Sequence, residues 1–256
     1  MILKPDSSLV DALHPSPNVG ERRPGCRPRL LILHYTGMGT AEGAIRWLAH
    51  PDSQVSCHYV IDEDGVITQM VAECARAWHA GTSYWHGETD INSVSIGIEI
   101  HNPGHSEGYP EFPLVQMEAV AALSRDITRR QGIAPEGVLA HSDVAPGRKT
   151  DPGEKFRWAW LAERGVGHWV APAPAACSDA GQPTGARSQE IAEVQALLRR
   201  YGYNTEPTGL LDERTSTIVR AFQLHFRQER VDGRVDRSTL DTLARLVAAL
   251  PVAVTS

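Results

Sequence analysis

Residues 171–187, Ala-Pro-Ala-Pro-Ala-Ala-Cys-Ser-Asp-Ala-Gly-Gln-Pro-Thr-Gly-Ala-Arg, cannot form a helix or strand with a face to bury. Their side chains are small, and proline and glycine interrupt both regular backbones. The stretch reads as a semi-extended Pro/Ala linker. It divides the 256-residue chain into residues 1–170, with 1–28 as an N-terminal arm, and residues 188–256. Two modest units suit that length. The charge divides as well. After residue 187, nine Arg face nine Asp plus Glu, and Asp179 cancels Arg187, so the net charge of −6 falls in residues 1–170. An acidic chain without a basic stripe argues against a nucleic-acid binder. Hydrophobic residues at 41% and charged residues at 22% suffice for a core without staples.

No apolar run approaches the ~18 residues of a membrane span. The first residues lack the apolar stretch of a secretory signal, so a cytoplasmic protein is expected, with the periplasm or cell envelope as the alternative. Cys26, Cys57, Cys74 and Cys177 are scattered, which fits free thiols better than a disulfide framework. Nothing in the sequence sets an oligomeric state.

The first unit mixes strands and helices. Strands are expected at Arg29–Tyr35, at Ser56–Asp62 and Val66–Val71 around a Glu63-Asp64-Gly65 turn, at Val94–Ile100 and at Gly137–His141. Helices are expected at Ala41–His50, at Leu114–Gln131 with Met117, Val120, Leu123 and Ile127 on one face, and at Glu154–Arg164. The pattern predicts an α/β fold with a mixed central sheet flanked by helices. The second unit predicts a small three-helix bundle: Gln189–Tyr201, Glu213–Arg227 capped by Asp212, and Arg237–Leu250 capped by Asp236.

The chemically informative stretch is His141-Ser-Asp-Val-Ala-Pro-Gly-Arg-Lys-Thr-Asp151. Pro146 and Gly147 make it a loop able to fold back and aim His141 and Asp151 at one point. His34 closes an apolar strand. Two imidazoles and a carboxylate fill three corners of a tetrahedral zinc site and leave the fourth open, as catalytic sites do. Spacing alone does not single His34 and His141 out of eleven histidines. His101 and His105 compete at i, i+4, although Pro103 and Gly104 break the helix that spacing requires. His58 reads as structural, and Cys57 has no evident partner that would make it a nucleophile.

Five segments are similar to the zinc-dependent N-acetylmuramoyl-L-alanine amidase family, in its second fold type and its recycling or broad-specificity branch. They are Leu-Ile-Leu-His34-Tyr-Thr, Ser-Cys-His58-Tyr-Val-Ile-Asp-Glu-Asp-Gly, Ala-Trp78-His79-Ala-Gly, Ser-Ile-Gly-Ile-Glu99-Ile, and the His141–Asp151 stretch with Pro-Gly after it. The resemblance covers nearly all of residues 29–165. It implies one zinc ion held by His34, His141 and Asp151, with Glu99 moving protons and Lys149 stabilising an oxyanion. Trp78 and His79 are expected to line the substrate groove, with Asn102 and Arg148 as further groove candidates. The implied substrates are muropeptides or peptidoglycan, cut between the muramoyl lactyl group and L-alanine. A non-catalytic sensor of wall fragments is the alternative. Residues 188–250 resemble a small peptidoglycan-binding domain through Val194-Gln195-Ala-Leu197-Leu198, Tyr201-Gly202-Tyr203, Thr208-Gly209-Leu-Leu-Asp212, Val219-Arg-Ala221-Phe222-Gln223 and Val231-Asp232-Gly233.

Overall fold

The computed structural model describes residues 3–251. In chain order the elements are β1 (Ala12–Leu13), β2 (Val19–Gly20), β3 (Leu30–Tyr35), α1 (Ala41–Leu48), β4 (Tyr59–Ile61), β5 (Ile67–Gln69), β6 (Arg76–Ala77), α2 (Ile91–Val94), β7 (Ser95–Ile100), α3 (Leu114–Gln131), β8 (Val138–Ala140), α4 (His141–Val144), α5 (Trp158–Glu163), α6 (Gln189–Tyr201), α7 (Glu213–Phe226) and α8 (Arg237–Ala248). One six-stranded sheet runs β1-β5-β4-β7-β3-β8, and β2 pairs with β6 in a small ribbon. β3 is parallel to both β7 and β8, and β4 is parallel to β7, whereas β4 and β5 form the expected antiparallel hairpin. The sheet is therefore mixed.

β3 reads Leu-Leu-Ile-Leu-His-Tyr, and residues 31–33 have no solvent exposure. An unbroken apolar run of this kind marks a strand covered on both faces. Its two faces join different apolar clusters. Leu31 and Leu33 pack with Met117, Val120, Leu123 and Ile127 of α3 and with Trp158 and Leu161 of α5. Leu30 and Ile32 belong to a cluster that also holds Ile191, Leu198, Tyr203, Phe222, Phe226 and Leu243. The helical unit thus shares a core with the sheet.

Local signals account for the element ends. α3 stops at Gly132, whose φ of 67° is the left-handed conformation of a C-terminal cap. Asp212 accepts from Thr215 N at 2.7 Å and Asp236 from Thr239 N at 2.6 Å, so both expected caps form. Two expectations need correction. The helix expected over Glu154–Arg164 begins only at Trp158, because the Lys155 amide donates to the Tyr109 hydroxyl at 3.0 Å and leaves the helical path. The loop expected after β8 opens with the single helical turn α4, where Asp143 Oδ2 accepts from Ala140 N at 2.8 Å.

Residues 171–187 are tied along the helices. Ala173 N donates to Thr242 Oγ1 at 2.9 Å, Arg237 N to Asp179 Oδ2 at 2.8 Å, and Gln182 N to Val235 O at 2.7 Å. With one apolar cluster spanning sheet and helices, Phe222→Ala should cost about 3–5 kcal/mol. It should lower a single cooperative melting transition, followed by calorimetry. Two separate transitions, with only one of them shifted, would contradict the shared core.

Candidate active site

Three neighbouring parallel strands end side by side. His34 lies next to last in β3, Glu99 next to last in β7, and His141 directly follows β8. His34 and Glu99 are register partners, as are Ile32 and Gly97, so each pair projects from the same face of the sheet. Functional groups collect at such carboxyl ends in open α/β sheets. The 141–151 loop folds back as expected. Ser142 N donates to Asp151 O at 3.0 Å and brings the third group to the other two.

His34 Nδ1 lies 2.8 Å from His141 Nδ1 and 3.3 Å from Asp151 Oδ2, and His141 Nδ1 lies 3.0 Å from Asp151 Oδ2. All three residues are buried. A tetrahedral zinc ion with bonds of about 2.0–2.2 Å needs ligand atoms about 3.3 Å apart, so the triangle fits a metal in size and in donor chemistry. The outer ring nitrogens are also occupied. His34 Nε2 meets His79 Nδ1 at 3.0 Å, His79 Nε2 meets Ser95 Oγ at 3.1 Å, and Ser95 Oγ donates to Ile91 O at 2.7 Å. His141 Nε2 faces Ala80 O at 3.2 Å. With both Nδ1 atoms kept as lone pairs, each Nε2–H has an acceptor. This is how supporting residues fix the tautomer and aim of a metal-binding imidazole.

Electrostatics agree with that state. Burial, with His141 beside it, lowers the His34 pKa from 6.5 to about 4. Asp151 is driven well below the usual carboxylate range, because the two histidines outweigh its burial. Glu99 goes the opposite way. Burial and the nearby Asp151 raise it well above its ordinary value, with Lys149 opposing. Its Oε2 is shielded from solvent and has no hydrogen-bond partner. Buried polar atoms are rarely left so. Glu99 itself lines the cleft, where its carboxyl group can take or give a proton.

The cleft has a volume of about 460 Å³ and is lined by Glu99, His141, Asp151, Lys149, Arg148, Trp78 and His79, among others. The structure does not bring Asn102 there. That residue is buried, donates to Pro110 O at 2.9 Å and accepts from Gly104 N at 2.9 Å, so it shapes a turn. His79 lines the wall, but both its ring nitrogens are committed to His34 and Ser95. Arg148 spends donors on backbone carbonyls, reaching Thr82 O at 3.0 Å and also Ala80 O. His101 and His105 do not converge. The first contacts Thr36 Oγ1 at 3.2 Å and the second Glu154 at 3.0 Å. His58 is structural, accepting from Gly97 N at 3.0 Å. Cys57 is fully buried, and burial, with Glu99 nearby, raises its pKa well above normal, which rules out a thiolate nucleophile.

Sequence reasoning missed Trp47 and Ser95. Trp47 lines the cleft with 48% of its surface exposed. The available signal was its place on α1, off the buried stripe of Ala41, Ala44 and Leu48. Gly97 also gains a reason. A Cβ there would lie 2.5 Å from His79 Cγ, so the strand must be bare where the supporting imidazole crosses it.

Residues 24–154 match the family described as "N-acetylmuramoyl-L-alanine amidase", and residues 187–243 match "Putative peptidoglycan binding domain". The chain belongs to the N-acetylmuramoyl-L-alanine amidase family. It is 36% identical over 225 residues to the N-acetylmuramoyl-L-alanine amidase AmiD of Escherichia coli, covering 83% of this chain and 80% of AmiD. The 1,6-anhydro-N-acetylmuramyl-L-alanine amidase AmpD of Enterobacter cloacae is 34% identical over 171 residues, covering 59% of this chain and 88% of AmpD. Among solved structures, the complex of AmiD with the substrate anhydro-N-acetylmuramic acid-L-Ala-D-gamma-Glu-L-Lys superposes with a TM-score of 0.73 at 32% identity, over 90% of this chain and 97% of that one. AmpDh3 of Pseudomonas aeruginosa gives 0.74 at 33% identity, over 89% and 94%. The mixed sheet with flanking helices is the fold of these amidases.

Two outcomes follow for this amidase. Gly97→Ala should weaken zinc affinity about 10-fold or more by displacing His79, as read by chelator competition; unchanged affinity would refute the account of Gly97. The second concerns pH. Burial holds His58 down to about 3 and His34 to about 4, against 6.5 when unfolded. These two buried imidazoles of the metal-free protein therefore bind fewer protons in the folded than in the unfolded chain below pH ~6.5. Stability is fully present above that pH and is lost as pH falls toward the folded values. The melting temperature of the metal-free protein should drop by roughly 5 °C or more between pH 7.5 and 5.5. A flat profile would contradict neutral burial.

Proposed function

We propose that this amidase hydrolyses the amide between the lactyl group of an N-acetylmuramoyl or anhydromuramoyl sugar and the L-alanine of a peptidoglycan stem peptide. The observation that carries the proposal is the unpartnered, shielded Glu99 oxygen on the same sheet face as the His34, His141 and Asp151 triangle. The similarity to AmiD and AmpD supports the bond assigned. In this reading one Zn²⁺ is held by His34, His141 and Asp151, and it supplies Lewis acidity and brings the pKa of water toward neutrality. The remaining steps belong to the chain. Glu99 accepts a proton from the attacking water and returns it to the departing amino group of L-alanine as the C–N bond breaks. Burial raises its pKa above the ordinary carboxylate value, which makes its carboxylate a stronger base. Lys149, on the cleft wall, stabilises the negative charge that develops on the carbonyl oxygen. Trp47 and Trp78 offer apolar faces against which a sugar or peptide can lie.

Residues 1–170 serve as the catalytic unit in this proposal, 171–187 as the connection, and 188–256 as a wall-binding unit. A cytoplasmic setting, with wall fragments as the substrate pool, is part of the same proposal. All four cysteines are free, as a reducing compartment allows. No helix among the described residues is long and apolar enough to cross a membrane. Fractionation of native cells tests the compartment, and an exclusively envelope location would reassign the pool to intact wall.

Purified protein incubated with muropeptides should release free stem peptide and the lactyl-bearing sugar, identified by mass spectrometry. A chelator should abolish the release and zinc restore it. Glu99→Gln should lower kcat by about 10²–10⁴-fold with KM little changed. Uncut muropeptides with zinc-loaded protein would sink the enzyme reading in favour of a wall-fragment sensor.

A further inference from the structure

Asp143 lies two residues beyond His141 on α4 and is almost completely buried. Its carboxylate accepts three hydrogen bonds. One comes from Ala140 N at 2.8 Å and closes the helical turn. The other two come from the helical unit, from the Tyr203 hydroxyl at 2.5 Å and from His225 Nδ1 at 2.6 Å. Neither donor is free to wander. The His225 ring stacks 3.7 Å from both Trp158 and Phe226, and Tyr203 packs edge-on against Trp85 at 4.8 Å. The segment that follows is held by the same unit. Gly147, with φ of 76°, lies so close to α7 that a Cβ there would be 2.7 Å from Thr217 Cγ2. Further along, Gln228 Nε2 donates to Phe156 O at 2.8 Å. The bracketed stretch carries His141, Lys149 and Asp151.

A helical turn of four residues does not sustain itself, since nucleating a helix costs more than one turn returns. α4 depends on its cap, and the cap depends on where the Asp143 carboxylate points. A cavity of about 620 Å³ with Asp143 in its lining lies between the 82–84 loop and α7. Without its two remote donors the buried carboxylate would lose two of its three hydrogen bonds and could turn away from Ala140 N.

We propose that Tyr203 and His225 are positioning residues for the metal site: through Asp143 they aim the turn that presents His141, so the helical unit is a working part of the amidase centre. The inference rests on His34, His141 and Asp151 being the metal site, and its readout is zinc binding without any substrate. Zinc affinity of the full-length protein is measured by competition with a chromophoric chelator. Tyr203→Phe and His225→Phe should each weaken it about 10-fold or more, and the double variant further. His225→Asn, whose amide can donate from the place of Nδ1, should recover part of the loss. Amide hydrogen exchange over residues 140–145 of the metal-free protein should quicken in the same variants. Leu243→Ala, in the same apolar cluster but not a partner of Asp143, should lower the melting temperature and leave zinc affinity alone. Unchanged affinity in the double variant, or an equal loss in Leu243→Ala, would overturn the proposal. Wild-type protein that binds no zinc would overturn both it and the amidase assignment. Wild-type protein that binds zinc yet cuts no muropeptide would remove the assignment alone.

Discussion

The centre depends on parallel pairing in register of β3 with β7 and of β3 with β8. That pairing sets three strand ends level, so His34, Glu99 and His141 arrive together without any long loop to place them. A slip of one residue in β7 would turn Glu99 to the opposite face and put Ile98 or Ile100 in its place. Register is guarded by what each face buries. Leu31 and Leu33 must meet α3, and Leu30 and Ile32 must meet the cluster shared with the helices. Packing on both sides thus holds the chemistry in place.

The site then sorts its ionisable groups by environment. Asp151 and Glu99 are carboxylates in one cleft, and the surroundings push them in opposite directions. Asp151 faces two imidazoles and stays ionised. Glu99 has no hydrogen-bond partner on Oε2, and burial with Asp151 nearby raises its pKa above the ordinary carboxylate value. The overall charge of −6 has little say here, because groups a few ångströms away in a buried site outweigh a diffuse field screened by salt.

Much of this was legible in the sequence. The apolar run of β3, the turn between β4 and β5, the 3.6-residue periodicity of α3 and the caps at Asp212 and Asp236 are local signals, and local chemistry decides them. The convergence of His34, His141 and Asp151 was legible through the motif that carries them, although spacing alone could not separate these side chains from the rest. What could not be read was contact between distant segments. Asn102 sits beside the Ile-Gly-Ile-Glu strand in sequence, yet its amide is consumed by a turn at 104–110. His79 lines the groove as its place beside Trp78 suggested, but that it also backs His34 shows only in the contact between their rings. The Pro/Ala stretch read as a semi-extended linker. Its composition says that it buries no face of its own, and says nothing of the backbone bonds that fasten it to α8.

Gly97 bears on how such proteins are recognised. It contacts neither the triangle nor the cleft, and it would be overlooked in any inventory of reactive groups. Yet the space above its Cα is what admits the His79 imidazole behind His34. One added methyl group there would displace His79 from behind His34 while His34, His141, Asp151, Glu99 and Lys149 keep their identities. A chain can therefore carry His34, His141, Asp151 and Glu99 and still aim them poorly, so the bare position on the neighbouring strand belongs in any reading of those side chains.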